Sequence, residues 1–109
     1  MVISFSVPEA RKQLMEKGTV VTFRWNRRKR VGKDWAQVKR NTKKIADVEI
    51  KQIKPVLSLL ELESYVSLSG FSSLKEWGEV IDTMRKPKHH WVGWLYSVTR
   101  DSQQVRKDP

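Results

Sequence analysis

A period of two in the apolar residues is what most limits the folds open to this chain. Thr19-Val-Val-Thr-Phe-Arg-Trp25 is rich in β-branched and aromatic side chains, the composition of a strand. Successive strand side chains point to opposite faces, so Val21, Phe23 and Trp25 share one face and Val20, Thr22 and Arg24 the other. Residues 45–53 alternate again, with Ala46, Val48 and Ile50 inward and Asp47, Glu49 and Lys51 outward. Pro55 then ends that strand, because proline cannot donate to a ladder. Residues 91–99 put Val92, Trp94, Tyr96 and Val98 on one face. Weaker strand signals lie at Ile3 and Phe5 and around 35–39. Strands with one polar face favour an antiparallel sheet or small barrel over a parallel sheet, which is buried on both faces.

Helical signals fall between these strands. Ser6-Val-Pro-Glu9 reads as a capping box with Pro8 in the first turn, where a missing N–H does no harm. Val7, Ala10 and Leu14 follow at helical spacing and Gly18 is a natural stop, which predicts a helix over 7–17. Residues 57–68 are leucine-rich, with Glu61 and Glu63, and predict a short helix that Gly70 breaks. Ser73-Leu-Lys-Glu76 is a second capping box, opening a helix with Leu74, Trp77, Ile81 and Met84 in one stripe. Residues 26–30 and 85–88 read as basic loops and Asn41-Thr42 as a turn. The order is strand, helix, three strands, one or two helices, strand. It predicts an α+β class: a small, mostly antiparallel barrel flanked by two or three helices, one domain over 1–100 and a polar tail over 101–109.

The 109 residues suit one domain, and a chain of this length buries roughly 65% of its unfolded surface without staples. Cysteine is absent, which excludes disulfides and thiolate metal sites. Apolar runs fall short of the roughly 20 residues a membrane span needs, and the N-terminus lacks the basic-then-apolar pattern of a signal. A cytoplasmic protein with no membrane partner is the expectation.

The formal charge is +10, and its distribution says more than its size. Residues 1–54 hold 15 lysines and arginines against 5 acids, whereas 55–109 hold 7 against 7. The segment 24–44 alone carries ten basic residues and one acid, Asp34. Charge of one sign gathered in this way is a footprint for a polyanion. Its bland counterpart is a solvated face that keeps the chain in solution.

Three pieces of sequence then resemble a known family. Lys17-Gly-Thr-Val-Val-Thr-Phe-Arg24 after a strand and helix is similar to the opening pattern of ASCH domains, a branch of the PUA-like superfamily. Asp47-Val-Glu-Ile-Lys-Gln-Ile53 resembles the family's strand ahead of its helical insertion. Leu68-Ser-Gly-Phe-Ser-Ser-Leu-Lys-Glu-Trp77 looks like its Gly-Phe-x-Ser entry into the helix before the last strand. The resemblance spans residues 2–99. It implies a β-barrel with a cleft between barrel and helices, and RNA as the ligand. Some relatives are ribonucleases, and one group deacetylates N4-acetylcytidine with a lysine, a threonine and a glutamate. The family threonine falls on Thr22 and the family arginine on Arg24. The lysine position falls on Thr19, with Lys17 two residues earlier. The glutamate position falls near Ser69 or Gly70, with Glu63 and Glu76 the nearest acids.

These residues support two kinds of chemistry. Arg24 offers a fork of donors suited to phosphate or a base edge, with Thr22 beside it; alternatively Arg24 pairs with a carboxylate such as Glu49. Arg27, Arg28, Lys29 and Arg30, together with Lys33, Lys39, Arg40, Lys43 and Lys44, supply phosphate contacts that position a strand without reading it. Trp35 either stacks on an unpaired base, worth about 1–3 kcal/mol, or belongs to the core. Trp25, Trp77 and Trp94 read as core residues, and Trp91 is undecided. Candidates for catalysis are Lys17, Thr22 and Arg24, with Lys17 a base only if burial lowers its pKa. Adjacent His89 and His90 face opposite ways in a strand and cannot chelate together, so no metal is implied, and no motif implies a cofactor.

The expectation is an RNA-binding domain acting in RNA processing, modification or translation-linked regulation. The alternatives are an enzyme on RNA or a modified nucleoside, and a domain for an acidic protein partner. Phosphate contacts alone admit DNA, and the features are indifferent to strandedness and oligomeric state.

Overall fold

Each stretch that alternates with a period of two forms a strand in the computed structural model, which describes residues 2–39, 42–85 and 92–101. The strands are β1 (Val2–Ser4), β2 (Thr19–Arg24), β3 (Gly32–Gln37), β4 (Lys44–Val56) and β5 (Gly93–Arg100). Helix α1 (Pro8–Lys17) joins β1 to β2. A 3-10 helix (Leu59–Leu68) and α2 (Leu74–Thr83) join β4 to β5. Expectations placed on Arg40, Asn41, residues 86–91 (His89, His90 and Trp91 among them) and the tail beyond Asp101 lie outside the described residues.

The sheet order is β1-β3-β4-β5-β2. Only β1 and β3 run parallel; the other neighbours are antiparallel. The mixed sheet curls into a half-barrel with three helices around it, an α+β architecture. β1 and β2 are its two edges, so the curl leaves a seam between them.

Curling gives the sheet two cores. The inner one gathers Ile3, Phe5, Ala36, Ala46, Val48 and Ile50 with Tyr96 and Val98. Ala10 and Leu14 of α1 pack into it, which sets this helix across the seam. The outer core lies under the 3-10 helix and α2, where Val21, Phe23 and Leu95 meet Leu62, Trp77 and Ile81. β2 is therefore buried on both faces. With Val21, Phe23 and Trp25 as the core face, the sequence reads the opposite face of Val20, Thr22 and Arg24 as non-core, yet Val20 is 0% exposed in the inner core. A curled sheet has an apolar interior as well as a helix-covered exterior, and alternation in β2 feeds both.

Local signals account for most boundaries. Gly18 ends α1 with φ +84°, its N–H donating to Leu14 O at 2.9 Å. The expected capping box at Ser6 does not form: Val7 is the N-cap, without a side-chain bond, and Pro8 opens the helix. Ser73 does cap α2, its Oγ accepting from Glu76 N at 3.1 Å. The Glu76 carboxylate returns to Ser72 Oγ at 2.6 Å, one residue short of the box. Met84 leaves the expected stripe and is 44% exposed. β4 also runs through Pro55 to Val56, where the sequence predicts a stop. The pairing of β3 with β4 ends at Ile50, so Pro55 has β5 alone as a neighbour, and its missing N–H faces an empty side. No helix among the described residues is long and apolar enough to cross a membrane.

Candidate functional site

A pocket of about 390 Å³ opens at the seam. Its position explains its lining. It lies along the free edge of β2, so residues from both faces of that strand reach it: Thr22 and Arg24 from one, Val21, Phe23 and Trp25 from the other. The end of β1 and the start of α1 supply a second wall with Ser4, Phe5 and Val7. The chain around Ser69 and Phe71 and the α2 residues Trp77, Val80 and Ile81 supply a third. Asn26, Arg27 and Arg28 carry the lining into the basic loop.

Gly70 fixes the third wall. It has φ +90°, and a Cβ there would collide with the backbone of Glu9 in α1. Only glycine lets the turn press this close to the helix. Ser69 Oγ closes the same turn, donating to Val66 O at 2.7 Å and accepting from Phe71 N at 3.0 Å. Phe71 and Trp77 lie nearly parallel, with ring centroids 6.5 Å apart. Trp25 is anchored by its Nε1, which donates to Ile81 O at 2.9 Å, and Arg85 sits 5.8 Å over its ring.

Arg24 is the polar centre of the pocket. Its Nη2 donates across the seam to Ser4 O at 3.0 Å, so this side chain stitches the two sheet edges together. The guanidinium lies 5.5 Å over the Phe5 ring. Nε is buried and makes no hydrogen bond. A guanidinium carries five N–H donors, and no carboxylate among the described residues takes any of them. Burial pushes its pKa down to about 10; nearby Arg28 pushes the same way and Tyr96 opposes. Arg24 stays charged at neutral pH. Among the described residues this half-buried cation is answered only by a carbonyl and a ring, an arrangement that an anionic ligand would complete.

Neighbouring Arg28 is differently placed. Its Nη2 meets Asp34 Oδ2 at 3.4 Å with side chains 14% and 8% exposed, and its Nε donates to Arg30 O at 3.3 Å. Its backbone N–H donates to the buried Tyr96 hydroxyl at 2.6 Å. Arg28 thus fixes the base of the loop, whereas Arg27, Lys29 and Arg30 are exposed.

The basic segment divides along β3. Arg27, Lys29 and Arg30 stand at its start, beside the pocket, and Lys39 and Lys43 stand beyond its end. Six residues at about 3.3 Å each put about 20 Å between the groups. Ala36 faces the inner core, so Lys33 and half-buried Trp35 share the outer face that links them. Glu49 stands opposite Lys33 in the register and does not bond Arg24. Lys17 is exposed at the end of α1 and outside the pocket lining, as are Lys33, Trp35, Lys39 and Lys43. Trp25 and Trp77 are core residues whose edges also line the pocket.

Phe71 is not a site candidate in the sequence reading, and Asn26 and Arg85 enter it only as members of basic loops. Phe71 carried one signal, its place after Gly70 in a Gly-Phe-Ser turn. Among the described residues the lining holds an arginine fork, hydroxyls, an amide and aromatic rings, and no carboxylate, imidazole or amine. Compared with family models, curated proteins and solved structures, the chain has no match.

Proposed function

We propose that this chain is an RNA-binding domain of the PUA-like type, in the manner of the ASCH branch it resembles, and that it binds through the seam pocket and the basic face of β3. One observation carries the reading. Arg24, half-buried with its Nε buried, has no counter-charge among the described residues, in a pocket whose mouth leads into exposed Arg27, Lys29 and Arg30. Such a cation calls for an anionic ligand, and the basic residues outside call for a long one. Thr22, Arg24 and Ser69, three positions singled out by the resemblance, lie on this one pocket. Along β3, lysines and arginines flank Trp35, an arrangement suited to following a single strand by phosphate contact and stacking. Binding is favoured over catalysis because the lining offers no proton acceptor among the described residues and Lys17 lies outside it.

The test is a titration of single-stranded RNA against the full chain at several salt concentrations. About five phosphate contacts give a slope of log K against log salt near −3.5. Duplex RNA and single-stranded DNA of the same length serve as comparisons. Absence of binding to any of them at low salt ends the proposal.

A further inference from the structure

We infer that the seam pocket holds one unpaired nucleotide, with its phosphate on Arg24 and its base against the backbone edge of β2. This rests on the RNA-binding reading and names the unit that the pocket takes.

The size comes first. A pocket of about 390 Å³ lies at the small end of ligand sites, room for a single small ligand and not for a helical stem. A base must therefore leave its stack to enter. Phe5, Trp25, Phe71 and Trp77, buried rings that reach the lining, give it apolar walls.

The anion comes second. Arg24 has one hydrogen bond, to Ser4 O, and a buried Nε with none. Arg28, the cation whose charge acts on Arg24, is already engaged by Asp34. A phosphate on Arg24 supplies the missing charge and accepts from a donor fork shaped for it.

The edge comes third. Gly18 O accepts from Arg100 N of β5, whereas Thr19 O accepts from the Gln13 side chain on the opposite side. Backbone groups in an antiparallel strand alternate in this way. The N–H and C=O of Val21, two residues after Thr19, therefore face the free edge, and Val21 lines the pocket. A donor and an acceptor side by side match the edge of a nucleobase. Val21 and Arg24 are three residues apart, about 10 Å at strand spacing, comparable with one nucleotide from base edge to phosphate.

A free mononucleotide and an unpaired residue within RNA share this chemistry. The experiment separates them by isothermal titration of the full chain with uridine, UMP, adenosine, AMP and inorganic phosphate, and with single-stranded and duplex RNA. Arg24→Gln, Arg24→Lys and the triple variant Arg27→Ala/Lys29→Ala/Arg30→Ala are titrated alongside, after urea melts establish that each is folded. The expected result is that a monophosphate binds at least about tenfold tighter than its nucleoside, the ratio one charge-assisted hydrogen bond supplies. Inorganic phosphate binds more weakly than either nucleotide. Arg24→Gln abolishes the preference for the monophosphate and Arg24→Lys retains part of it. The triple variant loses more affinity for strands than for the mononucleotide, because of its three residues Arg27 alone lines the pocket.

Equal binding of nucleoside and monophosphate, or no binding of either, overturns the inference. RNA binding that survives Arg24→Gln unchanged also overturns it and leaves the RNA-binding reading standing. Mononucleotide binding with the expected Arg24 dependence but no binding of RNA does the reverse: the pocket is then a site for free nucleotides.

Discussion

Arg24→Met removes the charge from the pocket and keeps an apolar stem in its place. Burial and Arg28 hold the guanidinium at about 10, below its ordinary range, a penalty on the charged form on the order of 3 kcal/mol. Against that stands the bond to Ser4 O, worth about 1.5–3 kcal/mol for a charged donor. The contact with Phe5 adds about 1 kcal/mol. These terms nearly cancel, so the ligand-free variant unfolds in urea within about 1.5 kcal/mol of the wild type, with an unchanged m value. A buried arginine paired with a carboxylate behaves otherwise: breaking such a pair costs about 3–5 kcal/mol. Equilibrium urea denaturation separates the two cases. A loss in that higher range refutes the reading of Arg24 as a cation awaiting a ligand and makes it a structural ion-pair residue. Alkaline pH gives a second measurement. An unfolded arginine keeps its proton above about 10, where the folded Arg24 releases it. The unfolded chain then binds more protons, and the contribution of Arg24 to stability rises with pH through about 10. The variant lacks that contribution, so the difference in stability moves in favour of the wild type as pH passes through this window. Movement the other way contradicts the burial of Arg24.

Other perturbations test the surroundings of the pocket. Replacing Arg27, Lys29 and Arg30 by alanine removes about three phosphate contacts and flattens the salt slope on single-stranded RNA by about 2, with affinity falling alike across sequences. Gly70→Ala meets the Glu9 backbone at a positive φ, and urea melts should show a loss of about 2–4 kcal/mol. Tyr96→Phe leaves the Arg28 N–H without its acceptor, lowering stability by about 1–3 kcal/mol, and amide exchange at Arg28 should quicken.

Much of the fold was legible because alternation reports burial directly. The strands around Val21, Val48 and Val98 and the helix stripe through Trp77 and Ile81 carry their own periodicity. Other features depend on facts that no local window contains. Pro55 is harmless only because β3 has ended by Ile50, a matter of which strands are neighbours. Val20 is buried because the sheet curls, and a single strand's pattern does not record curvature. The pocket was half legible. Arg24 and Thr22 stand out as a polar pair in an apolar strand, but their partners Ser4 and Ser69 come from opposite ends of the chain and meet only through the seam. Charge density marked Arg27 to Arg30 as one cluster. It could not show that Asp34 engages Arg28 and leaves the three others exposed.

The double burial of β2 has a consequence for how the pocket arises. Its side chains alternate between two compartments, with Phe23 in the outer core and Val20 in the inner one. Sliding the strand by one residue would exchange every side chain. It would drive the charge of Arg24 in among Leu62, Trp77 and Ile81 with nothing to answer it, and no register lies between the two. A molecule that has hidden Phe23 correctly has, in the same act, set Arg24 at the seam. The pocket is therefore proofread by the core, because the error that misplaces the arginine also unmakes the fold.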